Sequence, residues 1–342
     1  VSNFAALDDK QLPAHQLAAS LIDLACARGV DRNRLLRGTG IFYEDIRSGK
    51  HRLSASQLLR LMANARQLMP GKDAAFLLGR RLFPGAHTAS ANLLMHCRDL
   101  GDALKLLGLV KMQFCPFIYG QLHIYNQRCY WLLDDAFGCA GEFQFVLEAY
   151  CTALAAASRQ LFAQRVPFHF DFPFPRPRHI QEYEENLGIR LRFNQPLLCI
   201  SFEQKYLRQP CIQFSQTLKW HALRQLRAQR SKINMGFLEA VKRQLQQHRN
   251  MALSELAEVF NISPATLKRR LKQHGVSFSQ LQDEVNRQQA LFLLHVKGLN
   301  NEAIAAEMAF NDIPNFRRAF KRWTGSTPSQ ARLGWKLIDF SG

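Results

Sequence analysis

Through the first third of the chain, apolar residues recur three and four apart, the spacing of one helical face. In residues 15–29 the stripe is Leu17, Leu21, Leu24 and Ala25, with Gly29 as the stop. Short helices are predicted over 31–37 and 43–48. Ser54 is placed to cap a helix over 55–69, whose stripe is Leu58, Leu61, Met62 and Ala65 and whose end is marked by Pro70-Gly71. Asp73 opens another over 74–83. Helices over 90–96 and 100–114 follow, the latter with Ala103, Leu106, Leu107 and Val110 facing inward. Near residue 116 the period shortens to two. Aromatic and β-branched residues then cluster on both sides of Asn126-Gln127, which predicts a hairpin. A long helix is predicted over 142–165, with small residues Ala153 and Ala155–Ala157 at its centre. After it come an alternating strand over 168–175, a helix over 178–188 and short strands over 191–193 and 198–202.

The last hundred residues return to helical spacing and repeat themselves. Residues 304–332 read as a helix, a tight turn and a second helix. Phe316, Phe320 and Trp323 share one face of that second helix, while Arg317, Arg318, Lys321 and Arg322 fall on the others. Residues 256–271 are a weaker copy. Leu256-Ala257 corresponds to Ile304-Ala305 and Leu267/Leu271 to Phe316/Phe320; the offset is 48 residues before the turn and 49 after it. Ser263 and Asn311 are the expected caps. Pro264 would then be the first residue of its helix and Pro314 the third, both inside the turn that lacks internal N–H partners. Between the copies, Phe278, Leu281, Val285, Leu291 and Phe292 predict a helix over 278–296, roughly 28 Å long at about 1.5 Å per residue. Successive major-groove faces of a duplex lie about 34 Å apart, so such a helix could hold two reading helices over adjacent turns.

A packed stripe behind and a cationic front is what a DNA-reading helix requires. In the first copy Ala265, Lys268, Arg269 and Lys272 project away from the Leu267/Leu271 stripe. Ala265 suits a thymine methyl, and Arg269 suits a guanine edge through two hydrogen bonds. Thr266 and Lys272 suit phosphates, which position without specifying. In the second copy the matching positions are Ile313, Asn315, Arg317 and Arg318, with Lys321 and Arg322 as phosphate contacts.

The run FRRAFKRWTGSTPSQAR and its upstream copy resemble the AraC/XylS family of transcription regulators over about the last hundred residues. The resemblance implies a seven-helix unit with two helix-turn-helix motifs. It places Ala265, Lys268, Arg269, Ile313, Arg317 and Arg318 nearest the bases. Two positions depart from the pattern. Ala309 stands in the sharp turn where the family usually has Gly, and Ile313-Pro314 is apolar where many relatives are polar. The run from Phe172 to Pro210, FPFPRPRHIQEYEENLGIRLRFNQPLLCISFEQKYLRQP, resembles the arabinose-binding-type regulatory domain of one subgroup. The expected fold is therefore α+β: a mixed helical and α/β regulatory domain over 1–210, which could also dimerise, a linker helix over 211–235 carrying Arg224, Arg227, Arg230 and Lys232, and an all-α DNA-binding domain over 236–335.

Charge agrees with a polyanionic partner. The net charge is +18, the pI is about 9.9, and residues 221–342 carry 19 Lys and Arg against 9 Asp and Glu. No apolar run approaches the ~20 residues of a membrane span, and the start, VSNFAALDDKQLP, lacks the apolar core of a signal peptide. A bacterial cytoplasmic regulator is expected, with duplex DNA, a small-molecule effector and RNA polymerase as partners and a homodimer as an assembly. All eight cysteines precede residue 212 and none forms a C-x-x-C pair, so neither metal nor cofactor is expected. His96, His123 and His169 sit in apolar contexts and are expected in the core. The competing reading is an enzyme linked to a DNA-binding domain, such as an alkyl-accepting repair protein, for which Cys97 is the nearest acceptor. A third is an interaction protein whose DNA domain has decayed.

Overall fold

The computed structural model describes residues 4–49, 51–83, 88–229 and 234–336. The chain divides into two compact units, Val1–Ala240 and Val241–Gly342.

The first unit opens with two short strands, β1 (Phe4–Ala5) and β2 (Leu12–Pro13). Helices α1 (Leu17–Ala27), α2 (Arg32–Leu36) and α3 (Tyr43–Ser48) follow, then strand β3 (Arg52–Leu53), which pairs antiparallel with β2. Helices α4 (Ala55–Leu68), α5 (Ala74–Leu82), α6 (Ala89–Met95) and α7 (Leu100–Phe114) complete the helical portion. Local chemistry starts most of them. Asp31, Ser54, Thr88 and Asp99 each accept a backbone N–H three residues on, and Gln57 returns the bond to Ser54. Asp73 departs from this pattern. It occupies the cap position of α5 but makes no cap bond, because its carboxylate takes both arms of Arg28 at 2.8 and 2.5 Å. A two-armed charged pair is stronger than a single amide bond.

The mixed portion is a five-stranded sheet in the order β4-β5-β8-β6-β7. Its strands are β4 (Ile118–Tyr125), β5 (Arg128–Asp135), β6 (His169–Asp171), β7 (Leu191–Arg192) and β8 (Cys199–Glu203). All neighbours are antiparallel except β6 and β7. Asn126 and Gln127 make the hairpin turn at φ 46° and 58°, the doubly left-handed geometry that two-residue hairpins favour. The strand expected over 168–175 is only three residues long. Pro173 and Pro175 have no N–H to give a ladder, although Asn194 and Gln195 still donate to the carbonyls of Phe174 and Phe172.

Helix α8 (Phe143–Leu161) ends earlier than expected, because Phe162 bridges to Cys211 instead. It packs against α5 at Gly79, where a Cβ would stand 2.4 Å from the Ala149 carbonyl oxygen. Helix α9 (Ile180–Leu187) stops at Gly188, φ 95°. Tyr183 on α9 is wholly buried and donates to Glu148 on α8. Helix α10 (Gln216–Gln229) lies inside the first unit, packed along α6 through buried Ala222, with Leu218 and Trp220 exposed. Arg224 and Arg227 are exposed; Arg230 and Lys232 lie outside the described residues. Strand β9 (Met235–Gly236) pairs in parallel with β1 and leads into α11 (Phe237–Gln247), which runs across the division between the units. Glu239 in the first turn of α11 forms a buried ion pair with Lys111 of α7.

The histidine expectation needs correcting. His96, His123 and His169 are half-buried rather than core residues, and His96 bonds the carbonyl of Gln213 at 2.7 Å. His274 is the buried histidine of the described residues. Burial, followed by Arg128, Arg190 and Arg192, lowers His169 to about 4; burial and Arg332 lower His295 to about 4. Both groups bind protons more readily when the chain is unfolded. Stability should therefore fall as pH drops from about 6.5 toward 4. His295→Gln should flatten that slope in denaturant midpoints measured across the interval.

In the second unit, α12 (Leu253–Val259), α13 (Pro264–Gln273), α14 (Phe278–His295), α15 (Asn301–Glu307), α16 (Ile313–Thr324) and α17 (Pro328–Lys336) follow α11. Helix α14 is the scaffold: Leu281, Val285, Ala290 and Leu291 through Leu294 are buried along it, and α15, α16 and α17 pack on it. Lys242 of α11 reaches Glu284 of α14 at 3.0 Å.

Candidate nucleic-acid interface

The two helix pairs have the same build. Leu256-Ala257 and Ile304-Ala305 are the buried residues of α12 and α15, while Leu267/Leu271 and Phe316/Phe320 are those of α13 and α16. In each turn a residue adopts a left-handed conformation: Asn261 at φ 53° and Ala309 at φ 56°. The next amide, Ile262 or Phe310, bonds back to Ala257 or Ala305. Up to that point the copies are 48 residues apart. The caps that start α13 and α16 are Ser263 and Asp312, 49 apart. The extra residue is therefore Asn311, which the sequence predicts as the cap of α16 but which lies one residue before the actual cap, Asp312. Asp312 accepts the Asn315 backbone N–H at 2.6 Å, and Pro314 becomes the second helical residue rather than the third.

Ala309 pays for a conformation that glycine would adopt without strain. Ala309→Gly should raise the stability of the second unit by about 1 kcal/mol. A thermal unfolding curve reads this directly, and an unchanged or lowered midpoint would show that the turn carries no such strain.

With the caps aligned, the exposed faces correspond position by position. After the first helical residue, the exposed residues of α13 are Ala265, Lys268, Arg269, Lys272 and Gln273, and those of α16 are Pro314, Arg317, Arg318, Lys321 and Arg322; at the first position Pro264 is exposed and Ile313 half-buried. Each set follows the i, i+3, i+4, i+7, i+8 spacing of one helical stripe. Ala265 thus matches Pro314, and Ile313 matches Pro264 at the first helical position. Ile313, Thr266 and Asn315 are half-buried. Thr266 and Asn315 sit against their caps: the Thr266 hydroxyl lies 2.9 Å from Ser263 Oγ, and Asn315 Nδ2 donates to Asp312 at 2.6 Å.

Two polar networks hold two of the basic residues of α16, Arg318 and Arg322. Arg318 donates to Asn315 Oδ1 at 2.5 Å, so Asp312, Asn315 and Arg318 form a chain along one edge. Arg322 donates to Asp283 of α14 at 2.8 Å, and the Trp323 indole donates to the same carboxylate oxygen at 2.9 Å. One side of Arg322 is thereby engaged within the unit. Asp283, Asp312 and Gln273 were missed in the sequence. Gln273 was findable, four residues beyond Arg269 on the same stripe; Asp283 lies on another helix and had no local signal. Phe310 fills the turn against Phe316 and Trp323, with ring centroids 5.7 and 6.0 Å away.

The first unit contains an apolar slot of about 70 Å³ between α7 and α8, with Lys111 at its wall. That is well below the roughly 300–1,000 Å³ of ordinary ligand pockets. Cys97 is fully buried. Its hydrogen bond with Cys211, reinforced by burial, holds the thiol well above its ordinary range, the reverse of an activated acceptor. Among the described residues no three His, Cys, Asp or Glu side chains group as metal ligands, and no helix is long and apolar enough to cross a membrane.

Comparison with known proteins adds to this geometry. Residues 29–211 match the family described as the arabinose-binding domain of AraC transcription regulator, N-terminal, and residues 256–333 match a helix-turn-helix domain family. The ornithine utilization regulator of Pseudomonas aeruginosa is 26% identical over 321 residues, covering 92% of this chain and 94% of that protein. The HTH-type transcriptional regulator GadX of Escherichia coli K12 is 30% identical over 78 residues, covering 23% of this chain and 28% of that protein. The crystal structure of the transcriptional regulator CdpR from Pseudomonas aeruginosa aligns with 95% of this chain and 100% of its own at 17% identity, with a TM-score of 0.43.

Proposed function

The chain belongs to the AraC family of transcription regulators, and from that premise we propose that α13 and α16 read two adjacent major-groove segments of one operator. It is a helix-turn-helix DNA-binding regulator with an N-terminal effector-binding domain. The observation that carries the two-groove reading is the matched exposed stripe on both helices. Arg269, Arg317 and Arg318, with Lys268, are the base-reading residues of this proposal, supported by their exposure on the two stripes, and Arg suits guanine through two hydrogen bonds. Ala265 and Ile313 supply apolar contact. Lys272, Lys321, Arg322, Thr266 and Asn315 belong with the phosphates, which set register.

The functional division we propose is a regulatory domain over 1–210, a connecting segment over 211–235 that contains α10, and a DNA-binding domain over 236–335. Effector binding in the first shifts the population of DNA-competent arrangements. The protein acts in the bacterial cytoplasm as a homodimer that contacts RNA polymerase, without enzymatic activity of its own. The alkyl-acceptor alternative is disfavoured by the buried, protonated Cys97. The relative named for ornithine utilization makes amino-acid metabolites one effector class to screen.

The test is a duplex-binding titration of the full chain at several salt concentrations. Log affinity should fall linearly with log salt, by about 0.9 for each phosphate neutralised. Lys272→Ala should weaken all sequences alike and reduce that slope by about 1. A salt-independent affinity would remove the DNA-reading role.

A further inference from the structure

A second cavity of the N-terminal unit, about 470 Å³, has the size of an ordinary small-molecule pocket. Its wall includes Gln16 at the start of α1, Arg52 of β3, Leu223, Leu226 and Arg227 of α10, and Asn234 just before β9. Three features of that lining define what it can hold.

The first is charge. Two arginines line the cavity, and no Asp or Glu is among its described lining residues. A carboxylate answers that imbalance, whereas an ammonium would meet like charge and no counter-ion. The second is polarity without partners. Gln16 Oε1 and Asn234 Oδ1 are buried and make no hydrogen bond among the described residues, and Gln16 stands at the cap position of α1 without capping it. A buried amide oxygen left unpaired is destabilising, and a ligand donor would relieve that. A hydroxyl suits such an amide in either orientation, since it both donates and accepts. The third is the apolar surface of Leu223 and Leu226, which accepts a hydrocarbon body.

We propose that this cavity is the effector site and that it takes a hydroxy carboxylate of medium chain length. The carboxylate lies on Arg52 and Arg227, the hydroxyl on Gln16 and Asn234, and the chain along Leu223 and Leu226. The assignment rests on the regulator reading and adds the site and ligand class to it. Its regulatory consequence follows from position. Arg52 belongs to the small β2-β3 pair, whereas Arg227 belongs to α10 and Asn234 stands just before β9. A carboxylate bridging the two arginines would tie α10 to the β2-β3 pair.

The experiment is calorimetric titration of the full chain with 3-hydroxyoctanoate, octanoate, 1,3-octanediol and L-ornithine. The hydroxy acid should bind tightest. Losing the carboxylate, or Arg227→Gln, should weaken it about tenfold to a hundredfold. Asn234→Leu, or Gln16→Met should that variant fold poorly, should erase the preference for 3-hydroxyoctanoate over octanoate. No binding of 3-hydroxyoctanoate, equal binding of the diol, tighter binding of ornithine, or an unchanged affinity in Arg227→Gln overturns the proposal. Operator titrations on the same protein separate the two readings. Specific DNA binding without 3-hydroxyoctanoate binding rejects the cavity assignment alone, and absence of DNA binding rejects the regulator reading.

Discussion

Replacing Lys111 by Met lowers the stability of the N-terminal unit by about 3–5 kcal/mol. The Lys111 and Glu239 side chains are 7% and 0% exposed, and they form an ion pair between α7 and the first turn of α11. The Lys111 ammonium also lies 5.6 Å from the ring centre of Tyr119. Removing the ammonium takes this ion-pair partner from a buried carboxylate, and water cannot reach it to compensate. Lys111→Met combined with Glu239→Leu removes both charges and should recover most of the loss, because burying the pair is itself costly. Denaturant unfolding of the full chain, followed by circular dichroism, measures both variants. A midpoint that does not move in Lys111→Met would mean that the pair does not anchor the start of α11.

The double variant Arg269→Ala with Arg318→Ala weakens specific operator binding by about 2–6 kcal/mol, twice the cost of one base-reading arginine. The doubling follows from their places on different helices, where effects add. The two sites differ in preparation. Arg318 is held by Asn315, which is held in turn by the cap Asp312, so its guanidinium is partly ordered before DNA arrives. That saves side-chain entropy on binding. Asn315→Ala should therefore reproduce part of the Arg318→Ala loss. Affinity is read by titration at fixed salt, with folding checked by circular dichroism. Full specific affinity in the folded double variant would remove both residues from the reading face.

Much of the candidate interface is legible in the chain. The stripes Leu267/Leu271 and Phe316/Phe320, and the basic residues facing away from them, follow from the 3.6-residue period alone. The change of offset from 48 to 49 was visible as well, but its location was not. Asn311 and Asp312 are adjacent and both are good caps, and only the backbone shows which one turns into the helix. Beyond the interface, Asn126-Gln127, Ser54 and Gly188 were read correctly because turns and caps are local. The strand over 168–175 was overextended because alternation is blind to the N–H groups that Pro173 and Pro175 lack.

By itself, then, the sequence determined the helices, the hairpin, the doubled motif and the cationic stripe, since each depends on residues within a few positions of one another. Tertiary structure alone decided the pairing of Phe4–Ala5 with Met235–Gly236, the burial of Lys111 against Glu239, the hold of Asp283 on Arg322 and Trp323, and the cavity that brings Arg52 toward Arg227. These contacts join residues tens to hundreds of positions apart and repeat with no period. Nothing along the chain marks them until packing brings the partners together.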